Sequence, residues 1–387
     1  MENNEFERIK NTVKILSEAN KISKDIKVTG KALPKILGLK LTNRCNLRCK
    51  HCYEWNENGY HHNLDKDFAS SDLDFGLIEK CLEEMKDNIP ELYLWGGEPL
   101  IYYEIRKLLE LLIKYDPIMA ICTNGHLLVD HIDLLKQYSS NLELVIALEG
   151  TEKNNDLLRG KGSFKKTIDA IEKISNLKKK GEFFAKITVH TMISNDNYSE
   201  IIDFIRFMEK SGVENLILCF PWYISGDCSM EMENYYNDNF DWLKSDKNQK
   251  HSWNAFKYHI LKENQQSVVD LIRNIRELNF KINLKIQPNL DEQYITEFLN
   301  GTSNINSGFT KCLSLYSRMD ILPNGKVTSC KHFPEFIVGD LNIQSVNEIW
   351  TSYEMNKVRE IYHIKKSPAC SKCNNYYLHG YKKEQSK

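Results

Sequence analysis

Ile36-Leu-Gly-Leu-Lys-Leu41-Thr-Asn-Arg-Cys45-Asn-Leu-Arg-Cys49-Lys-His-Cys52-Tyr53 is the stretch from which the rest of the chain can be read. An apolar, strand-like run from Ile36 to Leu41 leads directly into three cysteines within eight residues. Three thiolates so spaced can hold three irons of a cuboidal 4Fe-4S cluster and leave the fourth iron without a protein ligand, open to a bound molecule. The competing reading is a three-cysteine zinc knuckle with a histidine as fourth ligand. Adjacent His51 serves that poorly, because structural zinc sites place the fourth ligand at its own spaced position.

The bulk numbers exclude several classes. With 52 basic and 53 acidic residues in 387, the formal charge is -1, so no global field draws the protein to nucleic acid or anionic lipid. The start, Met-Glu-Asn-Asn-Glu, lacks a signal peptide's basic and apolar segments. No apolar run approaches the roughly 20 residues of a membrane helix. The expectation is a cytoplasmic protein with no nucleic-acid and no membrane partner. Eleven cysteines in such a chain point to metal ligation rather than disulfides.

Periodicity organises the rest. Phe6, Ile9, Val13 and Leu16 predict an amphipathic leader helix. Strand-like runs at Ile36–Leu41, Glu91–Trp95, Ile118–Cys122, Leu142–Leu148, Ala185–Met192 and Leu216–Phe220 alternate with helical ones. Those are Leu73–Met85, Glu104–Ile113, His131–Tyr138, Phe164–Leu177 and Tyr198–Lys210. Six strands with intervening helices imply a parallel sheet. The expected fold is α/β, a partial (β/α)6 TIM-like barrel, with its chemistry at the C-terminal strand ends. Expected divisions are a helical leader (1–32), the barrel (33–222), a bridging or lid region (223–309) and a C-terminal β-hairpin/helix module (310–387). The bridge carries a helical stretch around Phe256 to Leu278 and a strand-like run, Lys281 to Ile286. In the last module Pro323-Asn324-Gly325 makes a hairpin turn, Cys330 lies on the returning strand, and a helix from Val346 to Ile361 precedes Cys370.

Further motifs follow the strands. Gly96-Gly97-Glu98-Pro99 follows the second, where two glycines permit close approach to a ligand and Glu98 offers a carboxylate suited to an ammonium group. Thr123-Asn124-Gly125 ends the third. After the fourth come Ala147-Leu148-Glu149-Gly150, Asn155-Asp156, Arg159-Gly160 and Gly162-Ser163-Phe164. With the C-x3-C-x2-C loop and its trailing Tyr53, these resemble the radical S-adenosylmethionine (SAM) superfamily. The resemblance implies that Cys45, Cys49 and Cys52 hold a 4Fe-4S cluster whose open iron chelates SAM. It also implies SAM contacts from Tyr53, Gly96, Gly97, Glu98, Pro99, Thr123, Asn124 and Arg159, the last near the SAM carboxylate. Two positions depart from the pattern, Ala147 for the usual serine and Glu149 for the usual aspartate.

Cys312, Cys330, Cys370 and Cys373 form a C-x17-C-x39-C-x2-C set, and four thiolates can enclose a metal completely. With the Val338-Gly339-Asp340 turn, this set resembles the SPASM/Twitch extensions of radical SAM enzymes, in the shorter, one-cluster form; His379 stands where a fifth cysteine would be expected. A zinc ribbon is the alternative. Of the other cysteines, Cys81, Cys122 and Cys219 read as core residues. Cys228, in a loop past the sixth strand, is a candidate hydrogen donor to a substrate radical, set against an inert thiol.

The resemblance implies reductive cleavage of SAM to a 5'-deoxyadenosyl radical that abstracts a substrate hydrogen, with the auxiliary 4Fe-4S cluster accepting an electron. The expected reaction is a two-electron oxidation of a small molecule such as a sugar or cyclitol. The alternatives are maturation of a ribosomal peptide by a thioether or other crosslink, and radical epimerisation. A low-potential donor such as flavodoxin or ferredoxin is the implied redox partner. A non-enzymatic iron-sulfur carrier or zinc-stabilised interaction protein would leave Gly96-Gly97-Glu98-Pro99 and Arg159 without a reason.

Overall fold

The computed structural model describes residues 2–63, 66–243, 250–302 and 309–382, with the side chains of 2–7, 63, 309–310 and 379–382 left out. Phe6 and His379 lie outside the described side chains. Strands β1 (Ile36–Thr42), β2 (Glu91–Gly96), β3 (Met119–Thr123), β4 (Leu142–Ala147), β5 (Lys186–Met192) and β6 (Asn215–Cys219) pair in sequence order and in parallel. The sheet stays open, as a partial barrel does. Alternation along each strand sets its two faces. Leu37, Leu39 and Leu41, Leu92 and Leu94, Met119 and Ile121, Ile187 and Val189, and Leu216 and Leu218 join the apolar core shared with the surrounding helices. The opposite positions, among them Lys40, Tyr93, Trp95, Cys122, Ala147, His190 and Cys219, line the concave face, the barrel lumen.

The sheet runs further than six strands. β7 (Asn283–Gln287), the strand-like run foreseen in the bridge, adds in parallel to the far edge beside β6. β8 (Phe309–Cys312) pairs only with the last strand, β12 (Gly380–Lys382). At the near edge β9 (Arg318–Ile321) pairs in parallel with β1, and β10 (Lys326–Thr328) and β11 (Ile337–Asp340) continue outward antiparallel. The C-terminal hairpin is thus an extension of the barrel sheet, and the order of the ten strands is β11-β10-β9-β1-β2-β3-β4-β5-β6-β7. No local pattern announces that pairing, which joins residues some 280 positions apart, Leu37 opposite Met319.

Several local expectations shift. The helix foreseen around 256–278 is Lys262–Glu277, because Phe256 turns away to stack on Tyr53. The helix foreseen over 346–361 is two, Val346–Trp350 and Tyr353–Ile364. Ser352 breaks it, its side chain capping the second helix by accepting from Met355 N at 3.0 Å. Val338-Gly339-Asp340 is the end of β11 rather than a turn, and Cys330 lies just past the returning strand. The leader helix, Glu2–Ile22, buries Ile15 and Ala19 and leaves Ile9 and Val13 54% and 60% exposed. Its orientation is fixed by polar contacts at the N-terminal strand ends, Arg8 to Glu143 at 3.0 Å and Asn11 to Glu91, which the apolar spacing alone does not show.

Candidate functional site

The three-cysteine loop is held from both sides by backbone. Gly97 N donates to Thr42 O and Glu98 N to Arg44 O, each at 2.9 Å, so the Gly96-Gly97-Glu98 turn zips onto the loop's entry. A Cβ at Gly97 would stand 2.1 Å from Arg44 O, and one at Gly96 2.3 Å from Thr42 O. The glycines permit close approach, as foreseen, but what they approach is the loop backbone. Further along, Lys50 N donates to Leu158 O at 2.8 Å, and Trp55 Nε1 to Asn43 O at 2.6 Å. Two backbone N–H groups point at sulfur, Leu47 to Cys45 and Trp55 to Cys52, both at 3.4 Å.

Glu98 is the hub of the next layer. Its buried carboxylate accepts from Thr123 Oγ1 and Asn124 N at 2.7 Å and from Leu100 N at 3.1 Å. Burial raises its pKa even so. Pro99 opens the short turn that follows and is itself buried. Asn124 Nδ2 reaches back to Asn46 Oδ1 at 2.8 Å, so the Thr123-Asn124-Gly125 turn, Glu98 and the cysteine loop form one connected wall.

Arg159 ends the helix Glu152–Arg159 and is buried, with Nη1 3.0 Å from Glu149 Oε1. Glu149 also accepts from Met192 N at 2.6 Å and faces His51 Nε2 at 3.5 Å. Burial drives the His51 pKa down to about 4, so it stays neutral. Arg159 is thereby an internal cation beside Cys45 and Cys49. Beneath the loop Lys40, Glu54, Tyr60 and His61 form a buried network, with Lys40 Nζ 2.8 Å from Glu54 Oε1. Burial pushes the Glu54 carboxyl upward, but Lys40 and His61 outweigh it and hold the group far below the carboxylate range.

The second thiol set lines a cleft against the barrel mouth. Cys312 ends β8, Cys330 follows β10, Cys370 lies within the single turn Pro368–Lys372 and Cys373 caps its end. All four border that cleft together with Trp222, Phe256, Lys331 and His332. Tyr53 spans the two sets. Its ring stacks on Phe256 at 4.2 Å, and its pKa is raised first by burial, then by charge at Glu54, Cys52, Cys330 and Cys373.

Two cysteines lie elsewhere than foreseen. Cys228 is in the first turn of the helix Gly226–Phe240, 1% exposed and part of the apolar core, because Ser225 caps a helix where a loop was expected. Cys122 and Cys219 both lie on the lumenal face: Cys122 is half-buried rather than core, its Sγ donating to Tyr93 OH at 2.7 Å, whereas Cys219 is buried as foreseen, its Sγ 4.0 Å from His190 Nδ1. Cys81 is core. Sequence reading also passed over the lumenal Tyr93, His190 and Lys331. The strict alternation of β2 and β5 was the signal for the first two; Lys331 had none.

Two families match the chain: the radical SAM superfamily over residues 39–208 and SPASM, an iron-sulfur cluster-binding domain, over residues 312–374. GTP 3',8-cyclase of Clostridium perfringens is 31% identical over 184 residues, 46% of this chain and 53% of that protein. Sporulation killing factor maturation protein SkfB of Bacillus subtilis is 26% identical over 181 residues, 46% and 41%. The chain spans about half the length of the curated relatives it matches. Among solved structures, Streptococcus suis SuiB bound to precursor peptide SuiA matches with a TM-score of 0.56 at 15% identity, covering 90% of this chain and 69% of that one. SuiB bound to SAM matches with a TM-score of 0.56 at 15% identity, covering 90% and 72%. At that identity the likeness is one of fold.

Radical SAM and SPASM domains bind 4Fe-4S clusters, and SAM is bound in the second SuiB structure. The thiols here suit such groups. Burial pushes Cys45, Cys52 and Cys370 up to about 12 and raises Cys49, Cys312, Cys330 and Cys373 as well. Buried thiols of this kind ionise when a metal supplies the positive charge. Among the described residues no three side chains converge closely enough to hold a single metal ion, and the four C-terminal thiols border one cleft.

Proposed function

This chain belongs to the radical SAM superfamily and carries a C-terminal SPASM iron-sulfur domain, and we propose that it performs a two-electron oxidation on a peptide substrate held in the barrel lumen. The observation that carries this reading is that Tyr53, next in sequence to Cys52, stacks on Phe256 and Trp222, which line the cleft bordered by the four C-terminal thiols. In this reading Cys45, Cys49 and Cys52 hold the cluster that binds SAM, and Cys312, Cys330, Cys370 and Cys373 hold a second one. Bound there, the groups would supply a carbon-centred radical that removes a hydrogen atom and, on the far side, an acceptor for the remaining electron.

The chain's own residues would position and shield. Glu98 offers its carboxylate to the SAM ammonium, with Thr123 and Asn124 fixing its rotamer, and Arg159 presents its guanidinium on the same side. Gly96, Gly97 and Pro99 hold the wall to the cysteine loop. Tyr53, Phe256 and Trp222 form an aromatic roof that excludes water from the lumen. His190, kept neutral by burial, is a lumenal group able to accept the proton released when the substrate loses its second electron.

A peptide is favoured over the sugar or cyclitol expected from the four-cysteine pattern because SkfB is a maturation protein and SuiB is seen with a precursor peptide. Anaerobic turnover with peptides encoded beside the gene tests the reading. A product lighter by two hydrogens, with one 5'-deoxyadenosine formed per product, is expected. A product of unchanged mass would indicate epimerisation, and turnover of sugar alcohols alone would overturn the peptide assignment.

A further inference from the structure

Among the described residues four cations, Arg318, Lys40, Arg159 and Lys331, stand at the lumen and its rim, and three of them have their own carboxylate. Arg318 is held by Asp320 through contacts of 2.7–3.1 Å, Lys40 by Glu54 at 2.8 Å and Arg159 by Glu149 at 3.0 Å. The fourth, Lys331, makes no hydrogen bond and no ion pair among the described residues. Its ammonium lies over the Tyr93 ring, 4.0 Å from the centroid, and 5.2 Å from that of Trp95. Both rings stand on the lumenal face of β2, so a residue of the C-terminal domain reaches into the barrel.

Ring faces orient an ammonium but leave its hydrogens without acceptors. The groups around it are unpartnered too. Buried His332 has neither ring nitrogen hydrogen-bonded, and Trp95 Nε1 is buried without an acceptor. His332 packs edge-on against Trp222 at 4.1 Å, on the wall of the cleft that Lys331 also lines. A half-buried cation, an indole N–H on the ring beside it and an imidazole on the wall of the cleft that the lysine also lines, each left unpaired, are costly to the empty protein. They form a set complementary to an oxyanion with two acceptor atoms.

We propose that Lys331 anchors a substrate carboxylate, supplied by an acidic side chain or the free C-terminus of a peptide, with Trp95 Nε1 and His332 beside it. The anchor would place the carbon to be oxidised between the two thiol sets, since Lys331 directly follows Cys330 while its ammonium sits on strand β2. The substrate class rests on the peptide reading above; the anchor itself does not, because a carboxylate on a small molecule meets the same geometry.

The test is retention by reconstituted holoenzyme with SAM bound. One pool contains random pentapeptides with free or amidated C-termini; a second contains sugar acids and the corresponding neutral sugars. Wild type should enrich carboxylate-bearing peptides, Lys331→Met should lose that enrichment by about tenfold, as for one charge-assisted contact, and Lys331→Arg should keep part of it. Lys331-dependent retention of sugar acids with no peptide retained would overturn the peptide reading and leave the anchor standing. Equal retention by wild type and Lys331→Met, including none by either, would overturn the anchor. Unchanged selectivity with a shifted midpoint potential of the C-terminal cluster in Lys331→Met would also overturn it, making the lysine a charge offset for that cluster.

Discussion

Arg159 and Glu149 form a buried ion pair at 3.0 Å beside the three-cysteine loop. Glu149 stands where radical SAM relatives are expected to carry aspartate, and its longer side chain reaches the guanidinium and Met192 N together. Removing one partner of such a pair leaves an uncompensated internal charge, at a cost of about 3–5 kcal/mol. Arg159→Met should therefore lower stability by that order in a denaturant titration. The double variant Arg159→Met/Glu149→Gln should recover most of the loss yet still bind SAM more weakly than wild type by anaerobic calorimetry. Full recovery of SAM affinity in the double variant would make Arg159 a structural cation only.

Replacing Cys45, Cys49 and Cys52 with alanine together should abolish cleavage of SAM to 5'-deoxyadenosine while the fold is kept, because apolar contacts rather than these thiols hold β1 in the sheet. Iron should fall from close to eight per chain to about four, the content of one remaining four-iron cluster. Zinc at one equivalent in that variant, with no iron, would assign the C-terminal site to a structural metal.

Much of this was legible because it is local. Each of the six barrel strands is a short apolar run bounded by turn residues, and the cysteine spacings state the chemistry of the two thiol sets directly. What stayed hidden is what pairs across distance. That β9 lies beside β1, so that the C-terminal module completes the barrel sheet, depends on a register no window of sequence contains. The same is true of Lys331, a lysine like any other until the fold sets it over Tyr93. Cys122 reads as core because apolar neighbours surround it in sequence; alternation turns it to the opposite face from Ile121, where it is half-buried.

Gly97→Ala tests whether the Gly96-Gly97-Glu98 turn acts on the cysteine loop. The added methyl would meet Arg44 O at 2.1 Å, a backbone atom that cannot step aside without moving the loop. Iron at the first site and SAM binding should fall together, while the four C-terminal thiols keep their iron; full loading of both sites would show the contact to be dispensable.

Glu98→Gln separates the carboxylate's two tasks. Glutamine keeps an acceptor for Thr123 or Asn124 but loses the charge offered to an ammonium group. SAM affinity should drop by about 1.5–3 kcal/mol, the range for hydrogen bonds to charged groups, with a smaller loss of stability. An unchanged affinity would place the SAM ammonium elsewhere in the site.

Cys228→Ala should retain turnover. The thiol lies in the first turn of the helix Gly226–Phe240, packed in the apolar core with its pKa raised by burial to about 11, and it does not line the cleft bordered by the four C-terminal thiols. A hydrogen donor must reach the substrate radical, and this thiol, 1% exposed, is packed among apolar side chains. In a two-electron oxidation the hydrogen removed ends in 5'-deoxyadenosine and none returns to the carbon. Deuterium placed on the substrate should therefore appear in 5'-deoxyadenosine, and solvent deuterium should be absent from the product. If solvent deuterium does enter the product, the reaction is an epimerisation, and the donor to test is the lumenal thiol of Cys219 beside His190. Loss of turnover in Cys228→Ala with an intact fold would instead mean that this helix opens during catalysis.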